Sequence, residues 1–138
     1  MIKSISELTL KQREFLFNIH CSIPKKWDPH FVINPKQLEF AKNIFLESPT
    51  NYKISFKNSD QSNSEIIAFV VFSIEATEGH ILSSWCSSSH RNNGLIKGLK
   101  KDLHKYAQDH QLVRIKTRCH TSNAVIIQLN QKLGYKII

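Results

Sequence analysis

The chain is poor in the residues that build disulfide frameworks and metal clusters. Only three cysteines occur in 138 residues, at Cys21, Cys86 and Cys119, and no two of them have the C-x-x-C spacing of a zinc or redox motif. We therefore expect reduced, mostly buried thiols and no metal site. The alternative is that His20 with Cys21 and Cys119 with His120 meet in space as metal ligands.

Long apolar runs are also missing. No segment approaches the roughly 20 residues needed to cross a bilayer, and residues 1–7 lack the apolar core of a signal peptide. We therefore expect a cytoplasmic protein with no membrane partner. Hydrophobic residues make up 41% and charged residues 22% of the chain, a balance typical of a globular protein, and we expect one domain over residues 1–138.

Acidic residues are the scarcer charge. The chain has 19 Lys and Arg against 11 Asp and Glu, and residues 70–138 hold ten basic and four acidic residues. Such a half is suited to an anion, either the phosphates of a nucleotide or a nucleic acid surface. A nucleic acid would bind the helix that contains Lys97, Lys100, Lys101 and Lys105. Such a pattern is more typical of a solvated helix face, so we do not expect a nucleic acid partner.

Apolar periodicity predicts an α+β fold with a mixed sheet. Residues 52–56 alternate like a half-buried strand, residues 66–72 are apolar on both faces, and residues 81–86 form another strand pattern. Because a central strand needs cover on both faces, we expect helices on each side of the sheet. The polar residues 58–64 predict a hairpin loop between the first two of these strands.

Caps and apolar stripes place the helices. Ser6 can cap a first helix that runs to Ile19, and Asn34 followed by Pro35 is a strong start for a second helix that stops before Pro49. A third helix follows Gly94. Its apolar stripe consists of Leu95, Leu99, Leu103, Tyr106 and Ala107.

The turn between the strand at 81–86 and this third helix is the first candidate site. A strand that turns directly into a helix directs free backbone N–H groups and the positive end of the helix dipole at one point, which favours an anion. Arg91 adds a positive charge, and Gly94 lets a ligand approach the backbone closely. The plain alternative is a connection with an exposed arginine.

The order of motifs over residues 90–135 resembles the GNAT superfamily of N-acetyltransferases. A strand pattern at residues 113–119 follows the turn, and a helix beginning at Asn123 runs into Leu133-Gly134-Tyr135, like the later signature of that family. The turn itself resembles the Arg/Gln-x-x-Gly-x-Gly/Ala motif of the acetyl-CoA site. It reads Arg91-Asn92-Asn93-Gly94-Leu95-Ile96.

The resemblance implies a mixed, mostly antiparallel central sheet flanked by helices on both faces. It also implies acetyl-CoA (coenzyme A) as cosubstrate and a small-molecule or peptide amine as acceptor. The N–H groups of residues 91–96 would bind the pyrophosphate, and the main chain of Trp85 and Cys86 would pair with the pantetheine arm. Asn123, in the second motif, would also contact the cofactor. The loop with Trp27, His30 and Phe31 would face the acceptor. The cofactor-binding candidates are therefore Trp85, Cys86, Arg91, Asn92, Asn93, Gly94, Leu95, Ile96 and Asn123.

The resemblance also implies the proton-transfer groups. His80, or Glu78 beside it, would accept the proton of the amine, since a histidine ordinarily titrates near neutrality. Asn130 stands where the family usually has a tyrosine that acts as general acid. An amide can donate a hydrogen bond to a thiolate but cannot protonate it, so a weakly active or inactive acyl-CoA-binding module is the alternative function.

Two further departures from the family concern shape. Ile96 puts a branched side chain where the motif has a small residue, unless that side chain points into the core. The usual final hairpin is missing, so we expect an open sheet edge along residues 113–119. Residues 135–138, a second subunit of a homodimer, or residues beyond those of this sequence would fill it.

Overall fold

The computed structural model describes residues 1–47, 52–118 and 123–136. The strands in these ranges form a five-stranded sheet in the order β1-β2-β3-β4-β5, antiparallel from β1 to β4 and parallel between β4 and β5. This confirms the predicted mixed, mostly antiparallel α+β fold. The elements are β1 (Ile2–Ser4), α1 (Leu10–Ser22), α2 (Pro35–Lys42), β2 (Tyr52–Ser59), β3 (Ser62–Glu75), β4 (Glu78–Cys86), α3 (Leu95–Asp109), β5 (Arg114–Thr117) and α4 (Ala124–Lys132).

β3 lies at the centre of the sheet and separates two apolar clusters. Its residues 68–72 are fully buried, as predicted for a strand that is covered on both faces. Phe69 and Val71 pack with α1 and the segment after α2, whereas Val70 and Phe72 pack with α3. We call these two sides the α1 face and the α3 face of the sheet.

Helix α1 begins later than the sequence predicts. Thr9, not Ser6, is its N-cap: the Gln12 N–H donates to Thr9 Oγ1 at 3.1 Å, and the Thr9 N–H donates to Gln12 Oε1 at 3.0 Å. Ser6 lies in a short 3₁₀ turn in which Ile5 is buried. The prediction of Ser6 as the N-cap is wrong because Ile5 packs in the core within the 3₁₀ turn, and the helix begins only after this turn.

Helix α2 begins as predicted. Asn34 and Gln37 form a reciprocal capping box, with Pro35 at the first helical position. The helix continues into a π-helical turn, Asn43–Glu47, which buries Ile44 and Phe45. The predicted stop before Pro49 lies outside the described residues.

The hairpin between β2 and β3 is tighter than predicted. The strands continue to Ser59 and resume at Ser62, so the turn consists of Asp60 and Gln61. Register shifts on both sides of Asn58 interrupt the ladder here, where Asn58 pairs with Ile66 and Ser59 pairs with Ser62. The backbone of the polar stretch is therefore mostly strand, and Asp60 and Gln61 alone form the turn.

The C-terminal elements agree with the prediction where they are described. Asn123 caps α4 by accepting from the Ile126 N–H at 3.2 Å, and Gly134 ends the helix region with a φ of 94°. Tyr135 and Lys136 are not in a strand, and β4 is the strand neighbour of β5 among the described residues. The remainder of the predicted edge, residues 119 and 137–138, falls outside those ranges, so what fills it stays a prediction.

None of the helices in the described ranges has the length and hydrophobicity that a bilayer crossing requires.

The two candidate caps of α1 predict different costs of substitution. We expect Thr9→Ala to lower the free energy of unfolding by about 1 kcal/mol, because the hydrogen bond from the Gln12 N–H to the Thr9 hydroxyl is lost. Ser6→Ala, the matched control, should leave the stability nearly unchanged, and urea denaturation of both variants measures the difference. A larger loss in Ser6→Ala than in Thr9→Ala would contradict this assignment of the cap.

Candidate active site

Helix α3 is attached to the sheet along its apolar stripe. Leu99, Leu103 and Ala107 are buried, as predicted, and Leu95 and Tyr106 pack at the margin of the same cluster. In addition, the buried Ser55 hydroxyl of β2 donates to the Leu99 carbonyl at 3.2 Å. These contacts hold the first turn of α3 beside the last residues of β4.

The turn into α3 leaves the first helical N–H groups accessible. Residues 91–94 are exposed, and none of the described side chains caps the helix. The Gly98 N–H donates to the Gly94 carbonyl at 3.0 Å, so the N–H groups of residues 95–97 lie ahead of the intrahelical hydrogen bonds. The geometry is that of an anion-binding helix N-terminus.

Glycine at position 94 serves the backbone angle. Gly94 has a φ of 73°, in the left-handed region, and Asn92 has a φ of 67°. A Cβ atom built at Gly94 would meet no described atom within 4 Å. The left-handed conformation of the turn therefore favours glycine at this position, and the predicted close approach of a ligand stays a prediction.

The branched side chain of Ile96 does not close the turn. Leu95 and Ile96 are half-buried and pack against the apolar cluster on the α3 face. The side chain that departs from the family motif thus contributes to the core, and the sequence alone had left both orientations open.

Two cations lie near this turn. Arg91 donates from Nε to the Cys86 carbonyl at 3.2 Å. Lys26, in the 3₁₀ turn Ile23–Lys26 after α1, has a lowered pKa, caused first by burial and then by the positive charge of Arg91. Lys26 was not predicted as a site residue, because no local pattern in the sequence indicates that it lies near Arg91.

β4 contains one extra residue opposite β3. Ile81 pairs with Phe72 and Ser83 pairs with Val71, so Leu82 forms a β-bulge. The bulge changes which residues face each side. Ile81 and Cys86 pack on the α3 face, whereas Leu82 and Trp85 pack on the α1 face.

The same position is where β4 and β5 part. Their pairing ends at Ile81 and Thr117. The Ser87 N–H donates to the Ile67 carbonyl of β3 at 2.8 Å, and hydrogen bonding alternates along an antiparallel ladder. The main-chain groups of Ser84 and Cys86 therefore point away from β3, toward the opening beside β5.

This alternation corrects one prediction. The main chain of Trp85 faces its partner Phe69 in β3, so it does not line the opening. The Trp85 side chain instead packs in the α1 face, with its ring 5.5 Å from that of Phe15. Cys86 keeps its place beside the opening, and burial raises the pKa of its thiol.

The two candidate bases lie together at the beginning of β4. The Glu78 carboxylate contacts Arg114 Nε and Lys116 Nζ, each at 3.2 Å. The hydrogen bond from Lys116, with the charges of Lys116, Arg114 and His80, holds the pKa of Glu78 below its ordinary value. A carboxylate held in its anionic form is a weak base, so His80 is the better candidate. His80 Nε2 lies 3.7 Å from Glu78 Oε2 and 3.8 Å from Glu75 Oε2.

Asn130 is buried between α4 and α3. It is 5% exposed, and its Oδ1 accepts from Lys100 Nζ at 2.5 Å. Lys100 is itself only 1% exposed, so it does not belong to the predicted solvated lysine face, although Lys97, Lys101 and Lys105 do. The predicted contact of Asn130 with a thiolate stays a prediction, as does a cofactor contact of Asn123.

The remaining sequence candidates belong to α1 and to the loop after it. Trp27 is 38% exposed and His30 is exposed, which leaves both accessible in the loop after α1. His20 is mostly buried against Phe45, with 5.3 Å between the rings. Within residues 1–47, 52–118 and 123–136, no group of three or more His, Cys, Asp or Glu is arranged to hold a metal ion.

A strand that parts from its neighbour at a bulge leads here into a helix N-terminus that no described side chain caps, an arrangement suited to an extended, anionic ligand. The acetyltransferase (GNAT) family model matches residues 14–135, so this chain belongs to the GNAT acetyltransferase family. No curated protein matches the chain.

Solved structures with the same fold are remote in sequence. A possible acetyltransferase from Clostridium difficile 630 has a TM-score of 0.74 at 11% identity, with 100% of this chain and 91% of that chain covered. The PaiA N-acetyltransferase from Thermoplasma acidophilum, in complex with coenzyme A, gives 0.67 at 15%, covering 100% and 90%. An aminoglycoside acetyltransferase from an uncultured soil metagenomic sample, in complex with sisomicin, gives 0.67 at 7%, also covering 100% and 90%.

Two histidines make the stability of the fold depend on pH. Burial lowers the pKa of His20, and burial together with the charge of Lys100 lowers that of His104. Each group therefore binds a proton more readily in the unfolded chain, and stability is lost as pH falls below about 6.5. We expect a lower free energy of unfolding by urea at pH 5.5 than at pH 8.

The variant His20→Phe should reduce this pH dependence, whereas His110→Phe, at an exposed position at the end of α3, should leave it unchanged. An identical pH dependence in His20→Phe and the wild type would contradict the assignment.

Proposed function

We propose that this protein is an acetyl-CoA-dependent N-acetyltransferase that transfers the acetyl group to a primary amine. The observation that carries the proposal is the continuity of three features: the exposed turn at residues 91–94, the first N–H groups of α3, which no described side chain caps, and the side of β4 after Leu82 with which no described strand pairs. A diphosphate and an amide-containing arm need these two kinds of surface side by side. The coenzyme A complex of the structurally similar PaiA enzyme supports the same assignment.

The residues present fit coenzyme A. The N–H groups of residues 94–97 would hold the pyrophosphate, and Arg91 and Lys26 would balance its charge. The main chain of Ser84 and Cys86 would pair with the amides of the pantetheine arm. Acetyl-CoA supplies the acyl group as a thioester, so the chain itself needs no covalent intermediate.

His80 serves as the base on the α1 face. His80 pairs with Ser73 of β3 and with Lys116 of β5, and it lies two positions before the bulge at Leu82. The amine nitrogen bonds to the acetyl carbon, the bond from this carbon to sulfur breaks, and His80 takes the proton of the amine. Coenzyme A then leaves with a proton from solvent.

A second candidate function is an acyl-CoA-binding module with little or no activity. Asn130 favours it, because a buried amide bound to Lys100 supplies no proton to a leaving thiolate. Thiol release from acetyl-CoA with a panel of amines separates the two functions. Binding of coenzyme A without any amine-dependent thiol release would favour the module.

The phosphate-binding role of the turn predicts a charge-dependent affinity. We expect Arg91→Ala and Lys26→Ala each to weaken coenzyme A binding by about tenfold, because each removes one charge-assisted contact. Isothermal titration calorimetry measures the effect. Lys11→Ala, which removes an exposed charge of α1, is the control and should bind like the wild type. Equal affinities in all four proteins would refute the proposed phosphate site.

The base assignment predicts a selective loss of rate. We expect His80→Ala to lower kcat by roughly hundredfold at saturating acetyl-CoA, since general-base assistance is lost. Coenzyme A affinity should not change. His110→Ala is the matched histidine control, and an unchanged kcat in His80→Ala would remove His80 from the mechanism.

A further inference from the structure

The α1 face carries cations on β5 beside the proposed base. The register pairs Glu78 with Arg114 and His80 with Lys116. Directly opposite residues on neighbouring strands share a face of the sheet, so these four side chains lie on one surface. Arg118 follows β5 and is also exposed.

Glu78 neutralises only part of this charge. Its Oε1 contacts Arg114 Nε and its Oε2 contacts Lys116 Nζ, one oxygen for each cation. The side chain of Arg114 is 61% exposed and that of Lys116 is 47% exposed, against 27% for Glu78. Both cations therefore keep exposed N–H donors while Glu78 fixes their positions.

The charges around His80 are segregated. Glu75, on the β3 side, has its carboxylate 3.8 Å from His80 Nε2, and Arg114 and Lys116 lie on the β5 side. The Glu78 carboxylate, 3.7 Å from His80 Nε2, also lies on the β5 side, where two positive charges and this one negative charge leave one net positive charge. A ligand that binds here therefore meets negative charge on the β3 side of the base and a net positive charge on the β5 side. This arrangement complements a molecule with an amine at one end and an anion at the other.

The spacing suits a small molecule. Strands lie about 5 Å apart and rise about 3.3 Å per residue, so the Cα atoms of His80 and Arg114 are separated by roughly 8 Å. Their side chains reach toward the same ligand from these positions. An amine nitrogen at His80 would thus have its anionic group only a few bonds away.

We propose that the acceptor is a small amine that carries a carboxylate or phosphate group, and that Arg114 and Lys116 bind this group. The inference rests on the proposed acetyltransferase function and names its substrate class. It sets this chain apart from the similar structure in complex with sisomicin, because a polycation placed here would face two positive side chains.

Matched amines test the proposal directly. Thiol release is measured at saturating acetyl-CoA with β-alanine, 2-aminoethyl phosphate, propylamine and 1,3-diaminopropane. We expect a kcat/KM at least about tenfold higher for one of the two anionic amines than for propylamine, with the diamine lowest. The anionic amine with the higher kcat/KM shows whether the site prefers a carboxylate or a phosphate group. Equal or better use of propylamine or the diamine overturns the proposal.

A variant of β5 assigns the preference to its residues. Arg114→Gln should raise KM for the preferred anionic amine by about tenfold and leave kcat/KM for propylamine unchanged. Arg114→Lys should restore part of the loss, and Lys132→Gln, at an exposed position on α4, should behave like the wild type. An equal loss for both amines in Arg114→Gln would contradict a role in anion recognition.

Calorimetry separates this inference from the proposed function. Coenzyme A is titrated into the wild type, and each amine is then titrated into the protein–coenzyme A mixture. Coenzyme A binding without a preference for the anionic amines overturns the acceptor class and leaves the enzyme function standing. Absence of coenzyme A binding overturns the enzyme function. In that case, tighter binding of an anionic amine than of propylamine still supports the acceptor class, and equal binding or no binding of the amines overturns it.

Discussion

The extra residue at Leu82 divides β4 into two parts with different neighbours. Before the bulge, β4 pairs with β3 and β5, and Glu78, His80, Arg114 and Lys116 are held in one row. After it, the main-chain groups of Ser84 and Cys86 point away from β3 and pair with no described strand, and the Cys86 carbonyl accepts from Arg91 Nε in the turn before α3. One register shift therefore separates the surface that we propose for the acceptor from the surface that we propose for the cosubstrate.

The rest of the fold holds these two parts in place. β4 pairs with the fully buried central strand β3. The Ser55 hydroxyl donates to the Leu99 carbonyl, which helps to hold α3 against the sheet. On the other side, Lys100 binds Asn130, and His104 Nε2 lies 2.9 Å from the hydroxyl of Tyr135, so α3 also holds the end of α4. Burial raises the pKa of Tyr135 to about 12, so this phenol stays neutral at ordinary pH.

Local patterns in the sequence were sufficient for most of the elements and for the turn before α3, although they misplaced the start of α1 and the turn between β2 and β3. The apolar stretch in β3, the Asn34 cap and the Gly94 turn each carry a signal within a few residues. The bulge at Leu82, the approach of Lys26 to Arg91 and the burial of Lys100 have no such signal, because each depends on partners that are distant in the chain. Prediction of Trp85 as a main-chain ligand failed for the same reason, since the phase of the ladder is set by β3.

The central claim is that the open side of β4 and the first N–H groups of α3 together bind coenzyme A. Amide chemical shifts in a two-dimensional ¹H–¹⁵N NMR titration with coenzyme A test it residue by residue. We expect the largest shifts at residues 94–97 and at Ser84 and Cys86, with the amide of His110 at the far end of α3 unchanged. Saturable shifts elsewhere, with these amides unmoved, would contradict the account.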